Sequence, residues 1–346
     1  MTTGRGEEAY LAAGGPARHV PVLRDEVMAA LAPREGGLYL DATFGAGGYS
    51  KALLAKPNTR VLALDRDPVA ISGGAWLVAE ARGRLCLAKE RFGRLDQAAR
   101  QRGFFDFDGV VLDIGVSSMQ IDDPARGFSV RGDGPLDMRM DGEGTTAADL
   151  VNTADETTLA NIFYFFGEER ASRRIAHAIV TDRATAPFTS TLMLAALIAR
   201  LAPGKPGEAH PATRAFQALR IAVNDELGEL VRALAAAEAV LREGGRLVVV
   251  TFHSLEDRIV KQFFALRSGR GQTSSRRLPH EIAPPAPTFA LPGKRPVTPS
   301  RRETSANRRA RSAKLRHGVR TKAAPRGLDD RLMALARLPE AHPGGR

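Results

Sequence analysis

The sequence predicts an α/β protein: a doubly wound, mostly parallel sheet with an inserted all-helical domain. Three observations predict it. Between Leu38 and Asp113, short apolar runs alternate with helical patterns, the rhythm of a parallel sheet covered by helices. From Thr145 to Val223, helical patterns succeed one another with no strand pattern between them. A long helix, Asp225 to Leu241, and a strongly β-branched run, Arg246 to Phe252, then resume the α/β rhythm.

His19 to Leu23 reads as an extended lead-in, and Asp25 to Leu31 as a helix with Val27, Met28 and Leu31 on one face. Leu38 to Leu40 is the first strand, ending in Asp41. Gly45, Gly47 and Gly48 follow, and a helical pattern starts near Ser50. Val61 to Leu64 is the second strand, with Asp65 at its end. Pro68 to Ala79 is expected as one crossover helix, with Pro68 in a permitted first-turn position. Leu85 to Ala88 is the third strand, followed by Phe92, and Phe107 to Leu112 is the fourth, ending in Asp113. Ligands of such sheets lie at the carboxyl ends of the strands. Asp41, Asp65, Phe92 and Asp113 all fall there.

Ile114 to Asp141 reads as a long loop held by apolar anchors, Val116, Met119, Ile121, Phe128, Leu136 and Met138. A loop of that length with anchors is expected to be ordered and functional. The helical segments are Thr145–Val151, Thr157–Phe166, Glu168–Arg183, Ser190–Leu201 and Ala212–Val223. Arg170, Arg173, Arg174 and His177 share one helix face, either for phosphate contact or as a solvated face paired with Glu168 and Glu169. The helix Asp225–Leu241 buries Leu227, Leu230, Leu234 and Val240 and is stopped by Gly244-Gly245. Ser254 with Asp257 is expected to cap the helix that follows the next strand. Arg267 to Ser300 reads as a partly ordered loop, Arg311 to Arg316 as an edge strand, and the chain beyond Val319 as a tail with a weak helix near Asp329 to Ala336.

The glycine turn and Asp65, 20 residues after Gly45, form a nucleotide-binding pattern. No phosphate-loop motif is present. An acid preceding the glycines at the strand end, Asp41, suits a cationic, amino-acid-bearing nucleotide, which points to S-adenosyl-L-methionine and a methyltransferase. The single cysteine, Cys86, lies within a strand, which excludes a disulfide framework and suits a reducing cytoplasm. No apolar run approaches the length of a membrane span, and residues 1–18 lack an apolar signal core. Arg258 to Lys322 holds 17 Lys/Arg and two acids, a net of +15, whereas the whole chain is +11 and the remainder therefore −4. A basic segment on a mildly acidic body points to nucleic acid.

Eight motifs carry a family resemblance: H-V-P-V-L, D-A-T-F-G-A-G-G-Y-S, L-D-R-D-P, D-I-G-V-S-S-M-Q-I-D, R-G-F-S, G-P-L-D-M-R-M, T-F-H-S-L-E-D-R and N-R-R-A-R-S-A-K-L-R. Through them the chain resembles the bacterial ribosomal RNA small subunit methyltransferase H family, also called MraW, from His19 to about Arg316. The resemblance implies a class I S-adenosylmethionine methyltransferase fold, Rossmann-like, with the inserted helical domain. It implies N4-methylation of a cytidine in the decoding centre of 16S rRNA, position 1402 in the usual RNA numbering. It implies cofactor contacts at Gly47, Gly48, Tyr49, Asp65, Phe92, Asp113 and Gln120. The family commonly has histidine where Tyr49 stands. The expected partner is 16S rRNA in the assembled 30S subunit, with no metal and no membrane, as monomer or homodimer. The expected division is a flexible tail (1–18), a first methyltransferase part (19–124), an active-site loop with the helical substrate domain (125–222), a second methyltransferase part with the basic segment (223–319) and a C-terminal tail (320–346).

An exocyclic amine is a weak nucleophile, so its hydrogens need acceptors and the reactants need to be held near contact. Cys86 sits in mid-strand, out of place for the thiol that C5-cytosine methylation requires. Asp113 is followed by Ile-Gly-Val-Ser-Ser rather than the Pro-Pro-aromatic sequence of other amino-methyltransferases. Ser117, Ser118, nearby carbonyls and His253 are the candidate acceptors. The base must leave its stack, and Arg301 to Lys322 is expected to hold RNA phosphates. A DNA N4-cytosine or ribose 2′-O methyltransferase, or a noncatalytic rRNA assembly factor, remain as alternative readings.

Overall fold

The computed structural model describes residues 21–204, 209–270 and 285–339. The expected N-terminal tail, His19 and Val20 of the lead-in, residues 271–284 of the long loop and the last residues of the C-terminal tail lie outside the described residues. Seven strands form one sheet: β1 (Leu38–Asp41), β2 (Arg60–Asp65), β3 (Leu85–Lys89), β4 (Phe107–Asp113), β5 (Leu241–Thr251), β6 (Phe289–Ala290) and β7 (Lys314–Arg320). Their order is β3-β2-β1-β4-β5-β7-β6. β1 to β5 run parallel and β7 runs antiparallel to both its neighbours. This is the class I methyltransferase sheet. Its strand order reverses between β1 and β4, which makes the crevice above them the topological switch point.

Strand periodicity builds the two layers. Leu62, Leu64, Leu112, Leu247 and Val249 face one hydrophobic cluster. Val61, Ala63, Val111, Val248 and Val250 face the other. Successive side chains point to opposite faces, and helices cover both, so the strands are apolar throughout rather than alternating. The helical insert shares the first cluster: Phe163, Ile175 and Leu194 belong to it together with Leu40 and Leu112.

The structure corrects several expectations. The crossover helix is two short helices, Pro68–Gly73 and Ala75–Glu80, joined at Gly74. A Cβ at Gly74 would come within 2.5 Å of both Leu87 and Phe44, so helix and strand close on one another only over a glycine. The expected loop after β4 contains a helix, Ser118–Asp122, and a 3₁₀ turn, Pro124–Arg126. The helix is started by Ser117 and Gln120, whose side chains cap each other's backbone N–H groups. Gly244-Gly245 does not stop the helix Glu226–Val240, which ends by itself. Both glycines lie inside β5, where the register with β4 is irregular. Gly245 has no room for a side chain because the Phe107 carbonyl would sit 2.8 Å from its Cβ.

Arg311 to Arg316 was expected to form an edge strand, but β7 starts at Lys314 and lies between β5 and β6. The described residues beyond Val319 are not a free tail. The helix Asp330–Ala336 buries Leu332, Met333 and Ala336 and packs on the helices Glu226–Val240 and Ser254–Arg267.

Candidate active site

The crevice at the switch point is a cavity lined by the ends of β2 and β4, the turns after β1 to β4, the segment just past β5, and Asn307 and Arg309. Six of the seven expected cofactor contacts line it: Gly48, Tyr49, Asp65, Phe92, Asp113 and Gln120. Gly47 lies behind the wall. Its φ is +78°, it caps the helix Gly48–Leu54, and a Cβ there would meet the Phe44 ring at 2.7 Å. Gly48 is demanded by the chain itself, since a Cβ would lie 2.1 Å from Pro21 Cγ.

Gly45, at φ +54°, turns its N–H onto Asp65 Oδ2 at 2.7 Å, and Asp67 N–H donates to Oδ1 at 2.8 Å. Asp65 is thus fixed at the end of β2. Burial pushes its pKa up to about 6, against these two bonds. Asp41 does not reach the cavity, contrary to its expected place beside a cationic ligand. It is fully buried, with Ser50 Oγ donating to Oδ2 at 2.7 Å and Thr43 N–H to Oδ1 at 3.3 Å. The acid aimed at the cavity is Asp113. Its Oδ1 is buried and has no hydrogen-bond partner among the described residues. Burial first, then the nearby charges of Asp41 and Glu256, raise its pKa to about 8, against the neighbouring Tyr49 hydroxyl, which is turned to the Val22 carbonyl.

Tyr49 is buried, and its hydroxyl donates to the Val22 carbonyl. Burial, followed by the charges of Asp113 and Asp41, pushes its pKa well above the usual phenol value. A phenol at this position is therefore a neutral strut between the lead-in and the cavity wall. Phe92 follows β3 in a 3₁₀ turn and offers a half-buried ring. Gln120 Nε2 donates to Asp67 Oδ2 at 2.8 Å while its carbonyl accepts from Ser117 N–H.

A polar network around the cavity escaped the sequence reading. Arg126 donates to Asp67 at 2.8 Å and to the Met140 carbonyl at 2.9 Å. Arg66 binds Asp141 at 2.7 Å and the Asn224 carbonyl at 3.0 Å. Asn224 in turn holds Met140 N–H and the Met138 carbonyl. These bonds pin the segment after β4 to the end of β2. The helix-entry role of Asp67 was legible in Asp-Pro, but its partners are 53 and 59 residues away.

His253 is not a cavity-lining residue. It occupies the N-cap of the helix Ser254–Arg267, with Nε2 2.9 Å from Glu256 Oε1. Glu256, not Asp257, completes the cap by accepting the N–H groups of Phe252 and His253. Asp257 instead pairs with Lys314 and Arg316. Ser117 Oγ accepts from Gln120 N–H, and Ser118 Oγ accepts from Arg309. The basic segment is partly committed to the fold in the same way, because Arg309 also pairs with Asp122 at 2.6 Å and Arg320 donates to the Glu238 carbonyl. Arg170 lies outside the helix Ser172–Arg183, so the expected four-residue face is incomplete. His177 meets Glu156, and Glu168 bonds to Ser254 and Arg258. Among the described residues no group of three or more His, Cys, Asp or Glu could hold a metal, and no helix is long and apolar enough to cross a membrane.

The MraW methylase family model matches residues 16–321. A ribosomal RNA small subunit methyltransferase H of Beijerinckia indica subsp. indica is 70% identical over 344 residues, covering 99% of this chain and 97% of its own. A protein of the same name from Methylocella silvestris is 67% identical over 346 residues, with 100% of both chains covered. Among solved structures, an rRNA methylase from Streptococcus thermophilus superposes with a TM-score of 0.38 at 10% identity, over 88% of this chain and 100% of that one.

Proposed function

The chain belongs to the MraW methylase family, and on that premise we propose that it transfers a methyl group from S-adenosyl-L-methionine to N4 of a decoding-centre cytidine in 16S rRNA. The observation that carries the cofactor half of this reading is Asp113. A buried carboxylate oxygen with no partner among the described residues, at the switch point of a class I sheet, fits a ligand that brings its own donors or positive charge. Asp65 and Phe92 supply what the nucleoside end needs, a fixed acceptor for ribose hydroxyls and an apolar ring beside the adenine. When bound there, S-adenosyl-L-methionine supplies an electrophilic methyl group on a sulfonium.

The protein's part is positioning and charge. Asp113 becomes a stable carboxylate when a cation or donor reaches Oδ1, since its pKa near 8 in the free protein reflects burial beside other acids. The segment from Gly115 to Met140 walls the cavity and is held rigidly by Asp67, Arg66 and Asn224. Those bonds fix the cavity wall, which favours holding donor and acceptor near contact distance. The carbonyls of this segment and the Ser117 and Ser118 hydroxyls are the acceptors nearest in sequence to Asp113 for the amine hydrogens. A cytidine reaches such a crevice only unstacked.

The test is methyl transfer from labelled S-adenosyl-L-methionine to unmodified 30S subunits and to naked 16S rRNA, with the labelled nucleoside identified. N4-methylcytidine is expected, in the particle rather than the naked RNA. Label on a ribose or on DNA, or cofactor binding without transfer, overturns the assignment.

A further inference from the structure

The helical insert carries an exposed aromatic pair that the core does not use. The helix Glu156–Asn161 widens into a π-helical turn, Ile162–Phe166. Ile162, Phe163 and Phe166 point inward, whereas Tyr164 is 56% exposed and Phe165 38%. The two rings pack edge to face, with centroids 5.0 Å apart, which leaves further ring faces open to solvent. Single π-helical turns concentrate at functional sites, and leaving two aromatic rings exposed to water gains the fold nothing.

The turn is fastened beside the active-site crevice. Glu168, three residues past Phe165 and held at φ +50°, accepts from Ser254 Oγ at 2.7 Å. Ser254 is two residues past Phe252, which lines the cavity. Arginine surrounds the same junction. Arg258 lies 3.4 Å from Glu168, Arg214 donates to the Glu168 carbonyl, and Arg170 and Arg173 are exposed with no acid partner among the described residues. The excess of guanidinium over carboxylate argues for a polyanion, and exposed aromatics among arginines are the composition that binds single-stranded nucleic acid by stacking and phosphate contact.

We propose that Tyr164 and Phe165, with Arg170 and Arg173, form a stacking platform for the single-stranded RNA that flanks the nucleotide entering the cavity. The platform rests on the RNA reading given above and adds to it a docking site on the insert. It leaves the cofactor untouched, so the two can be separated by experiment.

The probe is a fluorescent single-stranded RNA of about 12 nucleotides, read by anisotropy on the full chain, alongside S-adenosyl-L-methionine affinity and 30S methylation. Tyr164→Ala/Phe165→Ala is expected to weaken RNA binding about five- to a hundredfold and to raise KM for 30S with kcat and cofactor affinity unchanged. Tyr164→Phe keeps the ring and is expected to retain most of the affinity. Arg173→Gln is expected to reduce the salt dependence of binding. Undiminished RNA affinity in the double variant, while the wild type binds the oligomer and methylates 30S, overturns the platform alone. A wild type that neither binds the RNA nor modifies 30S overturns the RNA reading and the platform with it. Loss of a dimer in the double variant with RNA affinity intact assigns the patch to a second copy and overturns the proposal.

Discussion

Asp113 concentrates the chemistry of single residues. Its carboxyl is held at about 8 by burial and by Asp41 and Glu256, and Asp41 and Asp65 are held at about 6. All three sit above the ordinary value of 3.8. An acid whose folded pKa is raised favours the folded state fully below its unfolded value. That contribution is lost as pH rises through the folded value. The ligand-free protein is therefore expected to lose stability between pH 3.8 and about 8, with the last part of the fall, above about 6, due to Asp113. Acids lowered by ion pairs, such as Asp141 and Asp257, act in the opposite sense but only below 3.8, while His317, lowered by burial and then by Arg246, opposes the fall below 6.5. Urea titrations across this range check the slope, and Asp113→Asn is expected to flatten it above about pH 6 while weakening S-adenosyl-L-methionine binding about ten- to a hundredfold. A slope unchanged in the variant removes Asp113 as its source.

At the scale of elements, two segments are more firmly built than their composition indicates. The helix Asp330–Ala336 carries Leu332, which is 1% exposed against the helices Glu226–Val240 and Ser254–Arg267. Arg267, itself buried against Glu238, reaches Asp329 and the Gly327 carbonyl. Leu332→Ala is expected to cost about 2–5 kcal/mol in chemical denaturation. A cost below about 0.5 kcal/mol would make the segment the dispensable tail that its sequence resembles. The segment after β4 is the second case. Asp141 is the partner of Arg66 at 2.7 Å and of Arg91 at 2.8 Å, and both Arg66 and Asp141 are buried. Asp141→Ala leaves Arg66 an uncompensated buried charge, with an expected loss of about 3–5 kcal/mol. Because the same segment walls the cavity, cofactor affinity should fall in parallel. Destabilisation without any change in cofactor binding would separate the clamp from the site.

For the whole molecule the question is how a mildly acidic body carrying a basic segment meets an RNA particle. The net charge of +11 is concentrated in the Arg258–Lys322 segment, yet Lys314, Arg316 and Arg320 are bound within the fold. Arg301, Arg302 and Arg311 are exposed and have no acid partner among the described residues. These three are available for phosphate contact alongside other exposed bases of the segment, Lys261, Arg270, Lys294, Arg295 and Lys322. Replacing all three with glutamine is expected to lower the slope of log K against log salt by about 2 for a single strand, at roughly 0.7 per contact. An unchanged slope would move the phosphate contacts elsewhere, to the arginines of the insert first.

The division between sequence and tertiary structure follows from the range of the forces involved. Strand positions, the acids at their carboxyl ends, the glycine turn and the run of helices were legible because they rest on periodicity, turn chemistry and short motifs, all local in the chain. So the positions of Asp65, Phe92 and Asp113 at strand ends of one crevice are legible in the sequence. The family followed from motifs of the same local kind. Direction and partnership were not legible. Asp41 and Asp113 both end a strand, and only the packing of Ser50 against one and the open crevice above the other decides which is free to meet a ligand. Gly74 interrupts a good helix pattern because Leu87 and Phe44 press on it from other elements. β7 is interior rather than an edge because β6, two residues long, pairs along its far side. Arg66, Arg126 and Asn224 read as ordinary polar residues until their partners, up to 158 residues distant, arrive. Burial and long-range pairing depend on which segments meet, and that is a property of the folded chain.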